Sequence, residues 1–269
     1  MNLLPWLNRL EKIGSIEAAD GYWGVSRGVE IIPQNIKRES TSTPNYYKKE
    51  DEGLVKQEVL RVLQDGHLIT YNEVRKIYKD APETPSDRIA LGFLVKDKID
   101  PITGKIKKKL RLLSDASRPK GKGKSVNSCI KHFATALPTV AEFATHLERG
   151  DWMAMADIAD AFHNLGLRPY NWANITFEID FDEESWKLAY VKLCFGVRSA
   201  VRIFQALAQL MLIMIRHECK SRGFAHLIRH DSSYIDDSAC IAITKGAAQN
   251  WLKSMERYHV RARNAMARI

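Results

Sequence analysis

Three aspartates carry the strongest chemical signal in this chain. Asp157 opens the block Asp157-Ile-Ala-Asp160-Ala161-Phe162, and an adjacent pair stands in Tyr234-Ile235-Asp236-Asp237, about eighty residues further on. Carboxylate oxygens are the ligands that hard divalent cations such as Mg²⁺ or Mn²⁺ take. Two such cations ~4 Å apart can clamp the attacking and leaving oxygens of a displacement at phosphorus, where positioning and charge neutralisation supply nearly all of the catalysis. Three carboxylates arriving from two places in the chain therefore suit nucleotidyl transfer.

Local sequence suggests how they would be brought together. The apolar run Trp152-Met153-Ala154-Met155-Ala156 predicts a buried strand that delivers Asp157 at its end. Asp236 and Asp237 lie between Ser233-Tyr234-Ile235 and Ser238-Ala239-Cys240-Ile241-Ala242-Ile243, which predicts two short strands with the aspartates at the hairpin turn. Neighbouring strands are ~4.8 Å apart, so pairing this hairpin with the Asp157 strand would gather all three carboxylates.

At this point the blocks resemble a known family, the reverse transcriptases. Asp157-x-x-Asp160-Ala161-Phe162 resembles polymerase motif A, and Tyr234-Ile-Asp-Asp237 resembles motif C in its Tyr-x-Asp-Asp form. Leu193-Cys194-Phe195-Gly196-Val197-Arg198-Ser199-Ala200-Val201-Arg202-Ile203-Phe204 resembles motif B of the retrotransposon enzymes, with Cys194 and Val201 standing where those usually carry proline. Arg111-Leu-Leu-Ser-Asp115-Ala-Ser-Arg118, followed by Ser125-Val-Asn127, is similar to the fingers segment. The four blocks stand in the family's order across residues 94–243.

The resemblance implies an α+β fold of right-hand polymerase fingers and palm, the antiparallel palm sheet backed by helices, with the thumb absent or incomplete. It implies Mg²⁺ or Mn²⁺ on Asp157, Asp236 and Asp237, and a nucleotide held by Lys96 (or Lys98) and Arg111 at its triphosphate. Asp160 and Ala161 would line that nucleotide, Phe162 would lie under its sugar and reject a 2′-hydroxyl, and Phe195 and Gly196 would shape the pocket. Without that context a strand phenylalanine is usually core. The implied partners are a primed RNA or DNA template and dNTPs, with a thumb, ribonuclease H portion or partner subunit supplied elsewhere. The alternative is a nucleic-acid-binding remnant of a retroelement polymerase without turnover. An RNA-dependent RNA polymerase fits less well, because it must accept ribose beside Phe162.

The charge distribution fits a polyanionic partner. Twelve Lys/Arg against three Asp between Lys96 and Lys131 give a surplus of nine, equal to the net charge of +9 on the whole 269-residue chain. Clustered cations speed encounter with nucleic acid and make binding salt-dependent. The flanks of Asp100-Pro-Ile-Thr-Gly104, Phe93-Leu94-Val95 and Leu110-Arg111-Leu112-Leu113, predict a β-hairpin. Gly123-Lys124-Ser125 is no P-loop, since Arg118 stands where the leading glycine is required.

Other features set the frame. A composition of 45% hydrophobic and 27% charged residues is that of an ordinary globular chain. The apolar stretch at 206–215 is shorter than a bilayer span, so no membrane segment is expected, and neither is a secretory signal. Cys129, Cys194, Cys219 and Cys240 lack metal or disulfide spacing, which points to reduced thiols inside the cell, with Cys194 and Cys240 in buried strands. The histidines form no ligand pair, and the acidic run 180–184 reads as a hairpin turn. Helices are expected at 3–13, 54–63, 72–78, 138–147 and 201–222, the last behind the aspartate sheet. The resulting division is a helix and polar linker (1–53), a fingers-like region (54–137) and a palm (138–269).

Overall fold

A computed structural model describes residues 28–31, 44–85, 89–99, 103–120, 125–130, 135–181 and 183–266. The helix expected at 3–13 and the glycine-lysine loop at 121–124 lie outside them. In chain order the elements are α1 (Glu52–Gln64), β1 (Leu68–Thr70), α2 (Tyr71–Ile77), β2 (Ala90–Ile99), β3 (Ile106–Asp115), α3 (Val126–Cys129), α4 (Val140–Ala144) and β4 (Trp152–Asp157). They continue with α5 (Pro169–Trp172), β5 (Thr176–Phe181), β6 (Glu184–Tyr190), α6 (Ala200–Ser221), β7 (Ile228–Tyr234), β8 (Asp237–Ala242) and α7 (Lys245–Met266). Among the described residues these strands pair antiparallel.

Local chemistry starts several of these elements. Thr70 caps α2 through a reciprocal box in which its side chain accepts from Glu73 N–H while the Glu73 carboxylate accepts from Thr70 N–H at 2.9 Å. That backbone bond holds the Glu73 carboxyl below its ordinary value. Thr139 and Glu142 repeat the box at the start of α4. In α1, Val55, Val59 and Val62 fall at helical spacing and are buried, and the carboxylate of buried Glu58 takes Arg61 Nη2 at 2.7 Å.

The chain forms two compact units that interleave along the sequence: residues 1–29, 133–166 and 201–269 in one, 30–132 and 167–200 in the other. The contiguous boundary expected near 137 is corrected by strand pairing. β6 lies between β1 and β5, with Leu68 opposite Tyr190 and Phe177 opposite Leu188, so it draws 167–200 into the unit of residues 30–132. That unit also holds the β2–β3 hairpin, ten residue pairs long from Ala90–Asp115 to Ile99–Ile106. The acidic run at 180–184 is where β5 turns into β6.

The other unit is built on a three-stranded sheet in the order β4-β8-β7. α7 covers β4 and β8, and α6, on which Phe204, Leu207, Ala208, Met211 and Ile215 are buried, is joined to β7 by hydrogen bonds. Among the described residues α6 alone is long and apolar enough to cross a membrane, yet 56% of that stretch is buried within the fold, and Gln205 and Arg216 on it bond to β7. Across from α6, α4 meets β7 through His230, whose ring stacks on His146 at 4.0 Å and meets the edge of Phe143. Burial, then the His146 neighbour, holds His230 below its ordinary value.

Three expectations change here. β4 is not a buried strand: Met153 and Met155 are 56% and 67% exposed. As an edge strand with β8 on one side and α7 over one face, it leaves the other face open. α7 was not anticipated, although Ala247, Ala248, Trp251 and Met255 recur at helical spacing and are buried. Cys240 sits in a strand but Cys194 follows β6 in irregular chain, and burial pushes both thiols up to about 12.

Candidate functional site

Asp157 closes β4 and stands directly opposite Asp237, the first residue of β8. Asp236 is joined to the same place, because its carbonyl accepts from Ile158 N–H at 3.1 Å. Since 158 and 236 form a hydrogen-bonded pair, the alternation of an antiparallel ladder makes Asp157 and Asp237 a non-hydrogen-bonded pair, whose side chains stand closest. The three expected aspartates therefore share one end of one sheet, Asp157 and Asp237 exposed and Asp236 half-buried. Among the described residues no three His, Cys, Asp or Glu side chains come together as a group that could hold a metal ion, the three aspartates included. Mg²⁺ is usually held by one or two carboxylates completed by substrate phosphates and water, and an open set of oxygen donors at a sheet end fits that mode.

The turn bearing Asp236 is strained and clamped. Ile235 has φ 56°, a left-handed conformation that a β-branched residue rarely adopts and that costs about 1–3 kcal/mol. Gln205 of α6, itself buried, holds it: Nε2 donates to Ser233 O at 2.7 Å, and Oε1 accepts from Ile235 N–H at 2.8 Å. The hydroxyls of Ser233 and Ser238 bond each other at 2.7 Å beneath the turn. Further down β7, buried Asp231 accepts from Arg216 Nε at 2.6 Å and from Trp251 Nε1 at 3.2 Å, tying the sheet to α6 and α7. Neither Gln205 nor Asp231 was singled out from sequence. The available signal was a polar residue at an inward position of an apolar helix or strand. Gln205→Leu is expected to lose about 1–3 kcal/mol in urea denaturation, because it strands the buried Ser233 carbonyl and frees the half-buried Ile235 N–H.

The segment after Asp157 shapes the same end of the unit. Asp160 has φ 51° and leads into a 3₁₀ turn, Ala161–Asn164, in which Ala161 and Phe162 are buried. The Phe162 ring meets Phe204 edge to face at 5.8 Å. Phe162 is thus in a turn and not on a strand, and its ring belongs to the core of this unit.

The other expected residues lie in the second unit. Arg111 is exposed on β3 opposite Leu94, and Lys96 pairs with Lys109 two positions along the ladder. Phe195 is exposed at the tip of a turn, and Gly196 follows with φ 88°. A Cβ at Gly196 would stand 1.6 Å from Ser114 O, so the backbones touch there in a way only glycine permits. Asn127, buried, ties this turn to the chain after β3: Nδ2 donates to Gly196 O (2.8 Å) and Ser117 Oγ (2.7 Å), while Oδ1 accepts from Arg198 N–H (2.7 Å). The structure thus gathers Asp157, Asp160, Ala161, Phe162, Asp236 and Asp237 in one unit, and Lys96, Arg111, Phe195 and Gly196 in the other.

No protein-family model matches this chain, and comparison with curated proteins gave no match.

Proposed function

We propose that the chain is a reverse-transcriptase-like fingers and palm module that carries out template-directed nucleotidyl transfer from dNTPs. The observation that carries this reading is the cross-strand pair Asp157–Asp237, with Asp236 locked beside it by the Ile158 bond. Cations bound there would neutralise the attacking and leaving oxygens. Asp157, Asp236 and Asp237 are the residues assigned to hold them. Arg111 and Lys96 are assigned to the triphosphate, where a guanidinium offers a bidentate contact. Phe162, braced by Phe204, is assigned to the sugar, and Phe195 and Gly196 to the nucleotide pocket.

The test is primer extension on an RNA template with dNTPs and Mg²⁺, comparing the wild-type chain with Asp236→Asn. The wild type is expected to extend, and the variant to fall by about three orders of magnitude, the equivalent of losing ~4 kcal/mol of transition-state stabilisation. A folded wild-type chain that binds primed template and extends nothing would overturn the catalytic reading in favour of a binding protein.

A further inference from the structure

The sheet β1-β6-β5 has a gap in it. β6 pairs with β5 from Glu184 to Ala189, but with β1 only over Leu188 to Tyr190, because β1 ends at Thr70 and the chain turns into α2. Among the described residues no strand continues the line of β1 past Ser185, Trp186 and Lys187.

The backbone at those residues points into the gap. Tyr190 N–H donates to Ile175 O on the β5 side at 3.1 Å, and Val191 N–H donates to His67 O on the β1 side at 3.1 Å. By the alternation of an antiparallel ladder, the odd-numbered residues of β6 therefore direct their polar groups toward β1. At Ser185 and Lys187 that side is the gap, which sets two donors and two acceptors in register along an open edge. Natural sheets usually blunt or cover such an edge. Here it borders a cleft of about 380 Å³, lined on one side by Ser185, Trp186 and Lys187 and on the other by Thr70, Glu83 and Pro85.

Alternation also says what an added strand would carry. A residue opposite Trp186 would share the face on which the Trp186 and Phe181 rings meet, 5.0 Å apart, and this suits an apolar side chain. A residue opposite Ser185 would share the other face. There Asp180 stands across from Ser185 on β5, and Glu178 accepts from Ser185 Oγ at 2.8 Å. Ser185 is short, so a long cationic side chain can lie over it toward both carboxylates. Glu83, Asp180, Glu183 and Glu184 are exposed and Glu178 is half-buried, whereas Lys187 is the one cation among the described residues that line the cleft. In a chain of net charge +9 this is an acidic corner, complementary to a cationic partner and unfavourable to nucleic acid.

We propose that the open edge of β6 is a docking groove for an extended basic segment of a partner protein. The segment adds to the sheet as a strand in line with β1, its backbone paired with Ser185 and Lys187, an apolar side chain against Trp186 and an arginine or lysine over Ser185. This goes beyond the polymerase reading, in which none of these residues has a part.

The test is fluorescence anisotropy of a labelled peptide of about six residues alternating valine and arginine, titrated with the full chain at about 0.15 M salt. Two further peptides are compared, one with glutamate in place of arginine and one with the original side chains but N-methylated throughout, which keeps the charge and removes the backbone donors. The valine/arginine peptide is expected to bind saturably, its N-methylated form at least about tenfold more weakly, and the glutamate peptide not at all. Lys187→Pro removes the N–H that faces the gap and leaves the β5 ladder its donors, so it is expected to weaken binding about tenfold. Lys187→Ala keeps that N–H and removes a like charge, and is expected to bind as wild type or up to about threefold tighter, while Asp180→Asn and Glu178→Gln each weaken binding about threefold.

Equal binding of the N-methylated peptide, or wild-type binding by Lys187→Pro, overturns the strand pairing. Preference for the glutamate peptide overturns the charge assignment, and a wild-type chain that binds neither peptide overturns the proposal as a whole. A wild-type chain that sediments as a dimer, made monomeric by Lys187→Pro, assigns the edge to a second copy and likewise overturns it. Should Lys187→Pro fail to fold, the N-methylated peptide and Asp180→Asn decide, and unchanged binding in both overturns the inference. Each of these outcomes leaves primer extension untouched, so the groove and the polymerase reading fail separately.

Discussion

Gly196→Ala is expected to destabilise the unit that contains it by more than about 4 kcal/mol, beyond what most single substitutions cost. Two independent penalties act at this residue. Its φ of 88° lies where an L side chain is strained by about 1–3 kcal/mol. More severely, the new methyl would lie 1.6 Å from Ser114 O and 2.9 Å from Ser114 C. Both are backbone atoms of β3, so no rotamer change relieves the clash, and either the turn or the strand has to move. Moving the turn breaks the bonds from Asn127 to Gly196 O and Arg198 N–H, leaving a buried amide unsatisfied at a further cost of about 1–3 kcal/mol. Phe195→Ala, one residue earlier at an exposed tip, is the internal comparison and is expected to change stability by less than about 1 kcal/mol. Urea denaturation of the two variants reads the contrast. A Gly196→Ala midpoint close to wild type would mean that this turn does not rest on Ser114.

Part of this arrangement was legible in the sequence because it is written in short periods. The alternation around Asp236 and Asp237 predicts two strands and a turn, and β7 and β8 leave a two-residue turn, Ile235 and Asp236, between them. Phe93 through Leu113 likewise predicts the β2–β3 hairpin, because Pro101 and Gly104 interrupt a run of strand formers. What was not legible depends on partners far away in the chain. An apolar run such as Trp152 to Ala156 reads as buried, yet exposure is set by how many faces other elements cover, and β4 has an open face. Gln205 gains its meaning from a bond to residue 235, and Asn127 from bonds to residues 196 and 198. Side-chain to backbone bonds of that span leave no periodic trace. The grouping of 167–200 with 30–132 is of the same kind, since β6 meets β1 across more than a hundred residues.

Neutralising either member of the Asp157–Asp237 pair is expected to stabilise the fold and abolish its proposed activity together, a combination that separates a functional carboxylate pair from an ordinary polar turn. Like charges at directly opposed positions of an antiparallel pair are destabilising by about 0.2–1 kcal/mol, and the non-hydrogen-bonded geometry brings these two close. Asp157→Asn and Asp237→Asn are therefore each expected to raise the melting temperature in metal-free, low-salt buffer. The gain should shrink at about 1 M salt, where the screening length falls to ~3 Å. Mg²⁺ reverses the order. A cation that binds the folded chain alone stabilises it by RT ln(1 + [Mg²⁺]/Kd), about 1.4 kcal/mol at ten times Kd, and each substitution removes a ligand and most of that increment. Primer extension by both variants is expected to fall by about three orders of magnitude, as for Asp236→Asn. If Mg²⁺ leaves the wild-type melting temperature unmoved and the Asn variants match it at every salt concentration, the opposed carboxylates are a solvated strand end and the metal assignment fails. If the variants are more stable without metal and less stable than wild type with it, the repulsion between Asp157 and Asp237 is the cost of holding a cation between two strands.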